Sequence, residues 1–180
     1  ELREGGVSIA VLTDTHAAGE ELQALEAHLL SIGWGSATTE GYWEGQSTRG
    51  GVMIVWDVMQ WKIARGASAC TVIVPGRVIS ATLKSVESTA TIRVIGVYAP
   101  CRGQKEKRRG RKETHDTHEH TEEDEADMWD ELEGDMEKGD DIMIVGDMNA
   151  ETKGTMAGSS REESRQDVRF QQMIERMELT

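Results

Sequence analysis

The residues best placed to do chemistry are Asp147 and Asn149, two positions apart at the end of the apolar run Ile142-Met143-Ile144-Val145 and just past Gly146. Alternation along a strand sends residues i and i+2 to the same side, so both side chains sit at the mouth of a sheet. A carboxylate beside a carboxamide can grip a metal ion, a proton or a phosphate oxygen. The same Asp-x-Asn pattern is also common as a plain polar turn. Three further residues hold similar places. Asp14 ends the run 7–13, and Tyr98 follows the run 91–97 and precedes Ala99-Pro100. Arg49 opens Arg49-Gly50-Gly51 before the apolar run 52–56. A carboxylate is a hard oxygen ligand for a cation, and an arginine can reach a phosphate. Read blandly, Asp14 is a polar strand end, Tyr98 a half-buried aromatic and Arg49 part of a turn.

These residues need a frame to hold them. The runs that carry them are short, rich in Ile and Val and bounded by turn formers, which predicts buried strands, with 142–145 fully buried. Between the first two lies an amphipathic helix over 18–32. Glu20 and Glu21 suit its first turn, Leu22, Leu25, Leu29 and Ile32 make one stripe, and Gly33 stops it. Strand then helix suggests an α/β unit. Residues 35–48 read as a polar, glycine-spaced loop holding Tyr42 and Trp43, and 61–63 is expected to continue the pairing after a turn at Asp57. Runs 69–74, 78–83 and 91–97 read as an antiparallel meander, with a Pro75-Gly76 turn and with Thr82, Lys84, Thr91 and Arg93 on its wet face. Residues 126–138 form a helix presenting Met128, Trp129, Leu132 and Met136, weakened by Gly134. A final helix, capped by Ser164, runs to Leu179 with Phe170, Met173, Ile174 and Met177 facing the core.

The 180 residues suit one domain with a sizeable core. Apolar content is 37% and net charge −13. Much of the apolar deficit sits in residues 102–125, basic up to Lys112 and then rich in His and acid. Such a segment cannot bury a core and reads as a disordered, charged insert. Its His115, His118 and His120 lack an apolar frame to fix metal geometry. The basic Arg108-Arg109-Gly110-Arg111-Lys112 could serve nuclear import or DNA backbone contact, but its acidic neighbour offsets it. Bulk acidity argues against non-specific nucleic-acid binding, while leaving phosphate recognition through a metal ion open. Two cysteines, Cys70 and Cys101, suit a reduced intracellular protein, nuclear or cytoplasmic, better than a disulfide scaffold. With no long apolar run, no membrane partner is expected. The first residue is Glu1, and Glu178-Leu179-Thr180 closes without a capping turn, so a fragment incomplete at both ends is expected.

The order of the motifs Leu12-Thr13-Asp14-Thr15-His16, Arg49-Gly50-Gly51, Tyr98-Ala99-Pro100 and Gly146-Asp147-Met148-Asn149 resembles the endonuclease/exonuclease/phosphatase superfamily, the deoxyribonuclease I-like enzymes. Arg-Gly-Gly and Tyr-Ala-Pro look most like endonuclease domains of non-long-terminal-repeat retrotransposons. Each motif is weak alone; the ordered set, spanning all but 102–125, is fairly specific. The resemblance implies a four-layer αββα sandwich, two packed and mainly antiparallel sheets with flanking helices. It also implies phosphoester hydrolysis with Mg2+, or Mn2+ in its place, and DNA as partner of the intact protein. Asp14 falls where the family has the metal-binding Glu of a Gln-Glu-Thr motif, on a shorter arm. Tyr98 matches the phosphate-contacting Tyr. Asp147 and Asn149 match the pair that manages the nucleophile or leaving-group proton and holds the phosphate. The family's Asn before the Asp14 strand and its Ser-Asp-His, which carries the general base, have no match in these residues. By that resemblance the chain by itself is expected to be inactive or nearly so, and marginally stable because of open sheet edges. A phosphatase of the same fold and a non-catalytic remnant are the competing readings.

Overall fold

The computed structural model describes residues 4–44, 47–66, 69–99, 122–136, 141–150 and 165–176. Among these described residues, ten strands and three helices follow in the order β1 (Ile9–Thr13), α1 (Gly19–Ser31), β2 (Trp34–Thr39), β3 (Tyr42–Glu44), β4 (Ser47–Arg49), β5 (Val52–Asp57), β6 (Trp61–Ile63), β7 (Cys70–Val74), β8 (Val78–Ser85), β9 (Thr91–Tyr98), α2 (Glu122–Met136), β10 (Ile142–Asp147) and α3 (Arg165–Arg176). One sheet has the order β1-β5-β2, all antiparallel. The second has the order β10-β9-β8-β6, with β7 also on β8; only β10 and β9 run parallel. β3 and β4 form a separate hairpin.

The layers follow from alternation along the strands. β5 lies between β1 and β2, and all six of its residues are buried. Its Val52, Ile54 and Trp56 meet Ile79, Ala81, Leu83 and Val94 of the second sheet. Its Met53 and Val55 pack with Leu22 of α1 and with Ala17 and Trp34. The outer face of the second sheet offers Val78, Ile95 and Val97 to Met128, Trp129, Leu132 and Met136 of α2 and to Met173 of α3. The result is helix, sheet, sheet, helices: the expected αββα sandwich. Each fully buried aliphatic or aromatic side chain contributes roughly 1.5–3 kcal/mol. The sheets approach so closely at Gly96 that a Cβ there would lie 2.8 Å from Val52 Cγ1 and 3.1 Å from Val11 Cγ1.

Several expectations are corrected. The described residues of 35–48 are mostly strand rather than loop: they hold most of β2, all of β3 and the start of β4. Gly35, Ser36 and Ala37 hid the strand pattern because β2 lies close to a large neighbour. A Cβ on Gly35 would fall 2.3 Å from the Trp56 ring. The turn at Asp57 exists, with the Met59 amide donating to Asp57 Oδ1 at 2.9 Å, but it carries the chain into the other sheet, where β6 pairs with β8. Arg93 is not on a wet face. It is 7% exposed, because α2 covers that face; its guanidinium donates to the Asp135 backbone oxygen at 2.8 Å, to the Asp135 carboxylate and to Ser80 Oγ. β10 is half-exposed rather than fully buried: β9 is its one strand partner among the described residues, so Met143 is 43% exposed while Ile142 and Ile144 pack against the helices. α2 spans Glu122–Met136, so it includes residues before Ala126. The rest of the charged insert, 102–121, lies outside the described residues, as do Ser164, Met177, Pro100 and Cys101; Cys70 is a free thiol.

Candidate functional site

Strand register brings the chemically suited residues to one end of the sandwich. Thr13 and Thr39 both pair with Val52, so β1 and β2 finish where β5 starts. Val78 pairs with Val97, and Tyr98 with Asp147, so β9 and β10 finish where β8 starts. Two hydrogen bonds tie these ends together. The Gly51 amide donates to the Gly76 carbonyl at 2.9 Å, and the Gly76 amide donates to the buried Thr39 Oγ1 at 2.7 Å.

Asp14 stands just past β1 with φ +53°, a left-handed conformation that Asp tolerates better than most residues. Its side chain folds back on the glycine turn. Oδ1 accepts the Gly50 amide at 3.1 Å, and Oδ2 lies 3.1 Å from His16 Nε2. His16 Nδ1 is 2.6 Å from the Thr48 carbonyl. Turn and strand end are further locked by the Thr15 and His16 amides, which donate to the Gly51 and Gly50 carbonyls. Sequence reading gave His16 no role; the structure makes it the direct partner of Asp14.

Across the sandwich, Asp147 and Tyr98 are register partners on parallel neighbours, so their side chains share a face. That face is the inter-sheet one, since Val94 lies on it four residues earlier and Tyr98 itself packs against the inter-sheet cluster. Gly146 sets the approach with φ +149°; a Cβ on it would sit 1.9 Å from the Val97 carbonyl oxygen. The Asn149 amide donates to Asp147 Oδ1 at 3.0 Å, an Asx-type turn, and Asn149 itself takes φ +44°. Asn149 Nδ2 donates to the Ala99 carbonyl at 2.6 Å, and the Ala99 amide donates to the Asp147 carbonyl at 2.8 Å. Tyr98, Asp147 and Asn149 are thus held as a unit, with Asp147 exposed.

Arg49 is exposed on β4, opposite Tyr42 and one residue before the Gly50 that binds Asp14. The buried cation at this end is instead Arg77, just before β8, which sequence reading did not single out. Its guanidinium carbon lies 4.8 Å from the Tyr98 ring centre and 5.3 Å from that of Tyr42. The signal available in the sequence was an arginine directly after Pro75-Gly76, where a hairpin turn delivers it to the strand end.

Asp14, Asp147 and Asn149 offer hard oxygens, which is the donor chemistry Mg2+ prefers. Each carboxylate oxygen of Asp14 keeps a second lone pair beyond the bond it already makes. Among the described residues no three His, Cys, Asp or Glu side chains cluster as a ready-made metal site.

Sheet order, layers and the placement of these strand ends define an αββα sandwich. Two solved structures share this fold. The catalytic domain of human Nocturnin, determined with a bound sulfate anion, aligns with a TM-score of 0.52 at 15% identity, over 83% of this chain and 54% of that one. A humanized TDP2 from D. rerio aligns with a TM-score of 0.50 at 11% identity, over 88% of this chain and 59% of that one. The chain therefore spans little more than half the length of these structures. No protein-family pattern and no curated protein matches it.

Proposed function

We propose that this chain serves Mg2+-dependent phosphodiester hydrolysis, as a DNA-nicking endonuclease of the retroelement type. The observation that carries this reading is that Asp14, Tyr98, Asp147 and Asn149 lie at the same end of the sandwich, at the ends of strands from both sheets. The sulfate bound by the Nocturnin domain is a tetrahedral oxyanion, as a phosphate is, and supports an oxyanion ligand on this fold. In this proposal Asn149 holds a phosphoryl oxygen through the amide hydrogen that Ala99 does not use, and the Tyr98 hydroxyl donates to the same group. Asp147 accepts the proton from its exposed position, on the oxygen that Asn149 does not bond. Asp14 contributes an oxygen to the metal, and exposed Arg49 meets the DNA backbone. Mg2+, when bound, neutralises charge building on the phosphoryl oxygens. An intracellular setting, nuclear or cytoplasmic, belongs to the proposal and rests on the cysteine usage.

A second reading, a non-catalytic remnant of such an enzyme, is favoured by one observation: both Asp14 oxygens are already engaged, by Gly50 and His16. Nicking of supercoiled plasmid separates the two. The chain is assayed by itself and within its natural reading frame, with and without Mg2+, beside Asp147→Ala. Mg2+-dependent nicking in the natural frame, abolished by the substitution, is expected; the 180 residues alone are expected to be silent. No nicking from folded protein overturns the nuclease reading, and phosphate release from small phosphoesters would then point to a phosphatase.

A further inference from the structure

Arg77 is 9% exposed, yet it forms no ion pair with an acidic side chain among the described residues. Two tyrosines take that place. Nη2 donates to the Tyr42 hydroxyl at 2.5 Å, and Nη1 makes a long 3.5 Å contact with the Tyr98 carbonyl. The guanidinium carbon lies close to both rings, and Nε is buried with no hydrogen-bond partner. A buried Nε–H without an acceptor is a cost to the fold. Attraction between a desolvated cation and an aromatic face offsets such a cost only in a tight stack. Backbone contacts hold the stack from below: a Cβ on Gly76 would lie 3.0 Å from Tyr42, and one on Gly50 also 3.0 Å from it. The Tyr98 amide donates to the Arg77 carbonyl at 2.8 Å.

We propose that Arg77 is a positioning residue that couples the β3–β4 hairpin to Tyr98. Tyr42 brings the hairpin to Arg77; Arg77 fixes the plane of the Tyr98 ring, and with it the direction of the hydroxyl. A ligand that moves the hairpin then moves Tyr98, although the two tyrosines lie on strands of different sheets. The consequence for catalysis rests on the nuclease reading, in which Tyr98 touches the phosphate. The coupling itself does not.

Tyr42 and Tyr98 are the only tyrosines in the chain, so fluorotyrosine labelling gives two fluorine NMR signals. Tyr42→Phe and Tyr98→Phe assign them by removing one each. In otherwise unchanged protein, Tyr42→Phe is expected to shift the Tyr98 signal. In an Arg77→Met background, the same substitution should leave it within the line width. A merely structural role for Arg77 would move the Tyr98 signal in Arg77→Met but leave the effect of Tyr42→Phe intact, and that outcome overturns the proposal. An unmoved Tyr98 signal on Tyr42→Phe overturns it too, whatever Arg77→Met does. Should Arg77→Met not fold, Arg77→Lys carries the test. An ammonium cannot lie flat between two rings while donating to Tyr42, so the coupling should fall clearly below its original value. A short duplex DNA is then titrated into the unsubstituted protein. Its failure to move the Tyr98 signal would count against the nuclease reading and leave the coupling result standing.

Discussion

Gly146→Ala tests the placement of Asp147 most directly. Gly146 has φ +149°, and an added Cβ would lie 1.9 Å from the Val97 carbonyl oxygen, 2.8 Å from its carbon and 2.9 Å from its nitrogen. These are backbone atoms of the neighbouring strand, so no flexible side chain can move aside. Alanine fits only if the end of β10 separates from β9. That separation breaks the 2.8 Å bond from the Ala99 amide to the Asp147 carbonyl, at roughly 0.5–1.5 kcal/mol net for such a bond. If the backbone stays, an unfavourable conformation costs about 1–3 kcal/mol in addition to the clash. The expected loss is on the order of 2–4 kcal/mol, a large share of the ~5–15 kcal/mol typical of a domain. Gly134→Ala is the control, since a Cβ there meets nothing within 4 Å and the position is inside α2. It should stabilise by about 0.5–1 kcal/mol. Urea unfolding followed by circular dichroism reads both, comparing midpoints at a common slope. A Gly146→Ala protein within about 0.5 kcal/mol of the original, beside a well-behaved control, would refute the close approach. The placement of Asp147 beside Tyr98 would fall with it.

Arg93→Met should destabilise by about 3–5 kcal/mol, because it takes a buried guanidinium away from the Asp135 carboxylate, 12% exposed; Arg93→Met combined with Asp135→Leu should recover most of that, as a double-mutant unfolding cycle will show. Met143→Lys with Val145→Lys should lower self-association measured by light scattering. These residues are 43% and 36% exposed on β10, which pairs with β9 alone among the described strands, and charge blunts such an edge. Unchanged scattering would remove β10 as the sticky edge.

The sequence by itself determined the elements whose patterns are local. Val52-Met53-Ile54-Val55-Trp56 is apolar without a break because β5 is central and covered on both faces, and no other element explains such a run. The meander of β7, β8 and β9 was legible for the same reason, its turn marked by Pro75-Gly76. Asp147 and Asn149 stood out in the sequence as neighbours, but what joins them is an Asx-type turn past the end of β10, with Asn149 at φ +44°, rather than the strand alternation expected. Tertiary structure decided the rest. Gly35-Ser36-Ala37 has no strand signature, and only the Trp56 ring lying on it explains why small residues are needed there. Arg93 looks like a solvent-facing residue until α2 brings Asp135 over it, at a sequence distance that no local pattern can encode. Arg77 and Tyr42 carry no motif at all. They meet because the Gly51–Gly76 and Gly76–Thr39 hydrogen bonds join the ends of two sheets. The direction a side chain takes within its own strand is fixed by the chain's covalent geometry and can be read from the sequence. Which partner it finds across the sandwich depends on how the sheets close, and that is settled only when the whole core packs.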